Sequence, residues 1–138
     1  VVADFIRTTQ KLSGATGVRA TRAVGKFGLA YALARMSLEG IGAHVDPEGV
    51  KLVRATADRA CLFEEHLYEG IFVVDPTKIT EFEDAFSAIR TAAPTAELHR
   101  IGRTQMGRLA IGTWISFDTT TLKKVYSTSW GMTFESLA

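Results

Sequence analysis

Apolar residues recur at intervals of three or four in several parts of the chain, which is the pattern of helices that bury one face. The clearest stripe follows Asp75-Pro76, a pair typical of a helix start because Asp caps the first turn and Pro suits its first position. That stripe consists of Ile79, Phe82, Phe86 and Ile89. Helices are predicted over residues 1–13, 29–39, 79–92 and 119–131.

Short β-branched and aromatic runs between these helices predict strands. The strands are expected at Val18–Val24, Ala43–Val45, Ile71–Val74, Leu98–Thr104 and Leu109–Phe117, and residues 50–66 fit a helix or a loop. The last two strands flank Gln105–Arg108 and predict an antiparallel hairpin. The fold class expected from this order is α+β, with a mixed, largely antiparallel sheet packed with helices.

Composition narrows the class of protein. The chain has 138 residues, enough for one domain over 1–138, and 46% of them are hydrophobic. A formal net charge of +1 gives no field that favours nucleic acid or an anionic membrane. No apolar run approaches the roughly 20 residues that span a bilayer. With one cysteine there is no intrachain disulfide, and we expect a cytoplasmic protein. The first residue is Val rather than Met, which suggests a piece of a longer chain.

The turn Gly25-Lys26-Phe27-Gly28 is the most informative local feature, because it opens a predicted helix. Free backbone N–H groups and the positive end of the helix dipole favour an anion at such a position. Lys26, Arg22 and Arg19 add positive charge. A phosphate-binding turn is therefore one interpretation. The alternatives are a tight turn in which the glycines serve the backbone alone, and a turn closed by a buried Phe27.

The remaining candidates give weaker signals. His44, His66 and His99 are far apart and lack partners at metal-ligand spacing, so no metal site is expected. Cys61 has apolar neighbours, which favours a buried inert thiol over a nucleophile. Glu65 is a candidate cleft residue, and with its neighbours it is either an acid–base group or part of a solvated loop.

Several segments together resemble the C-terminal domain of the aminoimidazole ribonucleotide synthetase superfamily. They are Gly17–Val45 with its core Gly28–Met36, Gly42–Asp46, Leu62–Glu65, Gly70–Val74, Ile101–Arg103 and Gly107–Leu109. Within the superfamily the pattern is most similar to phosphoribosylformylglycinamidine synthases, which carry L-F-x-E-S before a strand and I-G-x-V before a later one.

The resemblance implies a part of an ATP-dependent purine-biosynthesis enzyme. In such enzymes an N-terminal domain, absent from this chain, holds most of the ATP and magnesium site, and the C-terminal domain helps to hold the substrate phosphate. The implied phosphate-binding residues are Arg22, Gly25, Lys26 and Gly28. The implied partners are the N-terminal domain, a phosphorylated ribonucleotide and a second subunit in a homodimer. No cofactor and no activity are expected of this chain alone.

The chain also departs from the family pattern. Gly25–Gly28 replaces S-D-G-G, Ala23 stands at an upstream Asp position, and His66 replaces the Ser of L-F-x-E-S. Gly70 stands where an Arg is expected. A selenophosphate synthetase or hydrogenase-maturation relative is an alternative, since the former group has a T-G-F-G-L turn. A non-catalytic ligand-binding or interaction domain of the same fold is another.

Overall fold

The computed structural model describes residues 2–54, 56 and 58–137. The structure is α+β, as the sequence predicted. In chain order the helices and strands are α1 (Val2–Ser13), β1 (Val18–Val24), α2 (Gly28–Met36), β2 (Ile41–Val45), α3 (Pro47–Arg54), β3 (Glu69–Val74), α4 (Ile79–Arg90), β4 (Gly102–Met106), β5 (Arg108–Ile111), β6 (Ile115–Asp118) and α5 (Thr119–Leu137). Short 3-10 helices lie at Arg59–Phe63 and Pro76–Lys78.

The chain divides into two compact units. The first unit contains Val1–Lys26 and Glu65–Leu98, and the second contains Phe27–Glu64 and His99–Ala138. The described strands form two sheets rather than the single sheet expected from the sequence: an antiparallel β1-β3 pair in the first unit and a four-stranded sheet in the second.

The first unit packs α1 and α4 with the β1-β3 pair. Its buried centre is formed by Leu12 of α1 with Phe82 and Phe86 of α4. Phe72 and Val74 of β3 pack against this centre, together with Ala15, Val18, Ile89 and Ala96. Phe82, Phe86 and Ile89 of the predicted stripe therefore pack with β3, as the helical spacing indicated.

The second unit is built on a sheet with the strand order β4-β2-β5-β6. β2 pairs with β5 in parallel, and the other two pairings are antiparallel, so this sheet is mixed as predicted. The buried residues of the unit come from helices and central strands alike: Leu29, Ala30, Ala32, Leu33, Val45, Val50, Cys61, Leu62, Leu109, Ala110 and Ile111.

The predicted hairpin between Leu98–Thr104 and Leu109–Phe117 is wrong. β4 and β5 do not pair with each other, because β2 lies between them and pairs with both. The link between β4 and β5 is the single residue Gly107, whose φ is +75°, and its N–H donates to the Gly40 carbonyl at 2.9 Å. One residue is too short for a tight hairpin, which needs about two. The chain instead turns around the start of β2.

The segment predicted as one strand over Leu109–Phe117 is itself the hairpin. It contains β5 and β6, paired from Arg108 with Asp118 to Ile111 with Ile115. Asp118 then caps α5 by accepting a hydrogen bond from the Thr121 N–H at 2.7 Å. The helix begins at Thr119 as predicted, but α5 continues to Leu137, past the end predicted at residue 131.

Asp75 is the acceptor at the centre of a polar network at the end of β3. Its Oδ1 accepts hydrogen bonds from the Thr77 N–H at 2.9 Å and the Thr77 hydroxyl at 2.7 Å. Its Oδ2 lies 2.6 Å from Nη2 of Arg19 on β1. The Arg19 hydrogen bond, followed by those from Thr77, lowers the pKa of Asp75 well below its ordinary value.

We expect this network to make stability depend on acid pH. Because the pKa of Asp75 is lowered by folding, its stabilising contribution is complete above the unfolded pKa of about 3.9 and is lost as the pH falls below it. Asp75→Asn should therefore flatten the fall of unfolding free energy below about pH 4. Urea unfolding at several acid pH values measures this. Asp84→Asn, at an exposed position of α4, is the control. Parallel pH profiles for wild type and Asp75→Asn would contradict the assignment.

Candidate phosphate-binding turn

The start of α2 has an unusual backbone. Phe27 precedes the helix with φ 70° and ψ 6°, in the left-handed region, and Gly28 follows with φ +77°. Phe27, at the N-cap position, provides no capping hydrogen bond from its side chain. A helix start leaves its first N–H groups without partners inside the helix, and it carries the positive end of the dipole. The electrostatics of this helix end therefore favour an anion.

Gly28 also has a purely structural role. A Cβ added to Gly28 would lie 2.5 Å from the Leu62 carbonyl oxygen, 2.7 Å from the Phe63 carbonyl carbon and 2.8 Å from the Glu64 carbonyl oxygen. The backbone after the 3-10 helix Arg59–Phe63 thus approaches Gly28 closely. The carbonyl oxygens on this side leave neither space nor positive charge for an anion, so an anion has to approach from elsewhere.

Phe27 does not fill the turn as a buried plug. Its side chain is 58% exposed. Its ring lies in an edge contact with Tyr31, one helical turn further on, with centroids 5.3 Å apart and planes at 71°. The alternative in which a buried Phe27 closes the turn is therefore wrong.

The other predicted residues are placed as follows. Arg22 lies on β1 opposite Ile71 and is half-buried, and Lys26 is exposed. A Cβ at Gly25 would meet nothing within 4 Å. Gly25 and Lys26 belong to the first unit and Gly28 to the second, so these three residues form one turn by adjacency in sequence. Arg22 lies within β1 of the first unit, outside the turn.

Glu65, the candidate cleft residue, is exposed in the connection before β3. It directly follows Glu64, whose carbonyl oxygen lies beside Gly28. Glu65 is thus one residue along the chain from the backbone that packs against the start of α2. Its side chain has the exposure expected of a solvated loop residue, and the geometry assigns it no further role.

Cys61 is buried, as the sequence predicted, with 1% of its surface exposed. Burial raises the pKa of its thiol, and the charge of Arg54 acts in the opposite direction. The thiolate needed for nucleophilic chemistry is therefore disfavoured.

A structural metal ion needs several ligand side chains close together. In the described part of the chain, no group of three or more His, Cys, Asp or Glu side chains is placed to hold a metal ion.

One polar cluster was missed by the sequence reasoning. Arg35 on α2 donates from Nη1 to the hydroxyl oxygens of Tyr31, at 3.2 Å, and Tyr126 of α5, at 2.8 Å. The four-residue spacing of Tyr31 and Arg35 is a signal that places them on one helix face. Tyr126 lies 91 positions after Arg35, and no local pattern links the two.

Comparisons of the chain with protein-family models, with curated proteins and with solved structures found no match. None of the described helices has the combined length and apolar character required to cross a bilayer.

Proposed function

We propose that this chain is the C-terminal domain of an ATP-dependent synthase of the aminoimidazole ribonucleotide synthetase superfamily, of the phosphoribosylformylglycinamidine synthase type. Its turn Gly25–Gly28 would bind the phosphate of a ribonucleotide substrate. The observation that carries the proposal is the start of α2, where the N-cap residue Phe27 provides no capping side-chain hydrogen bond and directly follows the exposed Lys26. The α+β class with a mixed sheet is consistent with this family but does not single it out.

Two contributions would hold the phosphate. The first N–H groups of α2 and the helix dipole attract an anion, an effect of about 0.3–1 kcal/mol for a surface charge. Lys26, two residues before Gly28 in sequence, supplies a cation, and the open space at Gly25 lets an anion approach the backbone. The carbonyl oxygens of Leu62 and Glu64 act against binding on the Gly28 side. We therefore expect weak binding to the chain on its own.

The rest of the reaction would belong to the N-terminal domain of the family enzymes. That domain would bind ATP and Mg²⁺, and the second subunit of a homodimer would complete the enzyme. In the complete enzyme this chain would hold the substrate by its phosphate and would exclude water from one side of the substrate. The chain alone would have no ATP-dependent activity.

Titration of the ¹⁵N-labelled chain with inorganic phosphate and with ribose 5-phosphate tests the proposal. We expect saturable amide shifts centred on Gly25, Lys26 and Gly28 at millimolar ligand, with ribose 5-phosphate at least as effective as phosphate. Lys26→Glu should abolish them, because it replaces the cation of the turn with an anion. Lys124→Glu, which makes the same change at an exposed position of α5, is the matched control.

Two results would contradict the proposal. The absence of shifts at these amides would leave the turn with a structural role only. Shifts of equal size in both glutamate variants would show that the anion binds to the protein without a specific site. The assignment of the chain to a synthase is tested by a separate measurement. That measurement is ATP-dependent amidation by the chain together with an N-terminal domain.

A further inference from the structure

A groove lies between α2 and α5 in the second unit, on a different part of α2 from the turn discussed above. Its volume is about 270 Å³. Its walls are nearly all apolar or aromatic, and the lining residues are Tyr31, Ala34, Arg35, Leu38, Leu122, Val125 and Tyr126. Among the described lining residues, Arg35 carries the only charged side chain.

Arg35 is held in a fixed orientation. Its Nη1 donates hydrogen bonds to the Tyr31 and Tyr126 hydroxyls, and Cζ lies 4.8 Å from the centre of the Tyr126 ring. A guanidinium group has five N–H groups in a planar fork. With both N–H groups of Nη1 directed to phenols, the Nε–Nη2 edge keeps the pair of parallel donors that a carboxylate accepts.

Among the side chains that the structure describes, no carboxylate forms an ion pair with Arg35. Glu39, four residues further along, instead lies 3.9 Å from Lys123. The pKa of Arg35 is raised above its ordinary value, chiefly by its hydrogen bond to Tyr31, while burial acts in the opposite direction. The group is therefore a permanent cation beside an apolar groove.

We propose that the groove between α2 and α5 is a binding site for a small monocarboxylate with an apolar tail, whose carboxylate pairs with Arg35. The single cation matches one carboxylate, and Ala34, Leu38, Leu122 and Val125 offer an apolar surface to the tail. A phosphate would place its remaining oxygens against these side chains, where they would lose hydration without gaining donors. The volume lies just below the range of about 300–1,000 Å³ for sites of larger ligands, which suits a compound of the size of hexanoate.

A comparison of the binding of hexanoate, hexanol and hexylammonium separates the effect of charge from the effect of apolar burial, because the three compounds share one tail. We expect hexanoate to give saturable shifts of the Leu38, Leu122 and Val125 methyl groups and of the Arg35 Nε–H signal of the whole chain. Hexanol should bind about tenfold more weakly, because it lacks the charge-assisted hydrogen bonds, and hexylammonium more weakly still. Equal affinity for hexanoate and hexanol, or the absence of saturable shifts, would overturn the proposal. This comparison needs no variant, so it stands even where a variant fails to fold.

Variants then locate the carboxylate. Arg35→Met keeps an apolar stem in the groove and should weaken hexanoate binding about tenfold or more, while leaving hexanol binding unchanged. Tyr126→Phe keeps the ring but removes one anchor of Arg35, and should have a smaller effect. Arg103→Met, at an exposed position of β4 in the same unit, is the matched control. Undiminished hexanoate binding by a folded Arg35→Met variant would also overturn the proposal. Lys26→Glu should leave hexanoate binding unchanged, since this site does not depend on the phosphate turn.

Discussion

Replacing Gly28 with alanine is expected to destabilise the second unit by about 2–5 kcal/mol. Two effects add at this residue. Its φ of +77° lies in the left-handed region, which costs an L-residue about 1–2 kcal/mol. The new methyl group would also meet the carbonyl oxygens of Leu62 and Glu64 at 2.5 and 2.8 Å. Backbone atoms cannot rotate away as a side-chain end can, so overpacking adds about 1–3 kcal/mol.

Substitutions at two other glycines separate the cost of the left-handed φ from the cost of overpacking. Gly40 has φ +101° with nothing within 4 Å of an added Cβ, so Gly40→Ala should show the conformational cost alone, about 1–2 kcal/mol. Gly25 has open space and no left-handed φ, and Gly25→Ala should change stability by no more than about 0.5 kcal/mol. Urea unfolding of the three variants provides the comparison. If Gly28→Ala costs no more than Gly40→Ala, the close packing against residues 62–64 is wrong.

The packing at Gly28 changes how the turn is to be interpreted. A glycine at a helix start suggests a backbone that approaches a phosphate, but here the nearest approach is by another part of the chain. Gly28 is required for packing whether or not an anion binds. The features that favour an anion independently of packing are the start of α2, where Phe27 provides no capping side-chain hydrogen bond, and the charge of Lys26. Lys26→Glu therefore tests binding, and Gly28→Ala tests the fold.

Local signals in the sequence predicted the first unit well. The spacing of Ile79, Phe82 and Phe86 follows the helical repeat, and burial of two of these residues confirms the predicted face. Asp75-Pro76 marks a helix start through contacts between near neighbours, and Asp75 caps the turn as predicted. It caps a short 3-10 helix, however, and α4 begins at Ile79. Such signals succeed because the interactions that produce them lie within a few residues.

The sheet of the second unit could not be predicted in the same way. Its order depends on β2 taking a place between two strands that follow each other closely in sequence. A Gly-containing segment between two apolar runs normally indicates a hairpin. Only the pairing of β2 with both β4 and β5 shows that Gly107 links opposite sides of β2. That pairing joins residues about 60 positions apart and leaves no local pattern.

The candidate sites, too, could be predicted only where their residues are close together in sequence. The turn Gly25–Gly28 was recognisable because a helix start with glycines has a local pattern, yet the left-handed Phe27 was not, since a bulky residue rarely adopts positive φ. The groove beside Arg35 needs two helices from distant parts of the second unit. Each of its residues has an ordinary interpretation in sequence, as helix surface or packing. That they line one groove becomes clear only in the structure, where Tyr126 of α5 contacts Arg35 of α2.

Phe86→Ala is expected to lower the unfolding free energy of the first unit by about 3–5 kcal/mol, the range for removing a buried Phe side chain. Phe86 is 8% exposed and belongs to the same buried cluster as Leu12 and Phe82. Its partners come from both helices and from β3, so the cavity left by the ring is bounded by three elements that cannot all collapse into it. Amide hydrogen exchange of β1 and β3 reports on this unit directly, because global opening sets the slowest rates.

A matched substitution and a double variant make the Phe86 test specific. Phe63 is 61% exposed, and Phe63→Ala should cost less than about 1 kcal/mol. Leu12→Ala alone should cost about 2–5 kcal/mol. Since Leu12 and Phe86 share one cluster, the two cavities merge, and the double variant should lose less than the sum of the single losses, by about 0.5 kcal/mol or more. A loss below about 1 kcal/mol for Phe86→Ala, or strict additivity with Leu12→Ala, would show that α4 does not pack against α1 and β3 through this face.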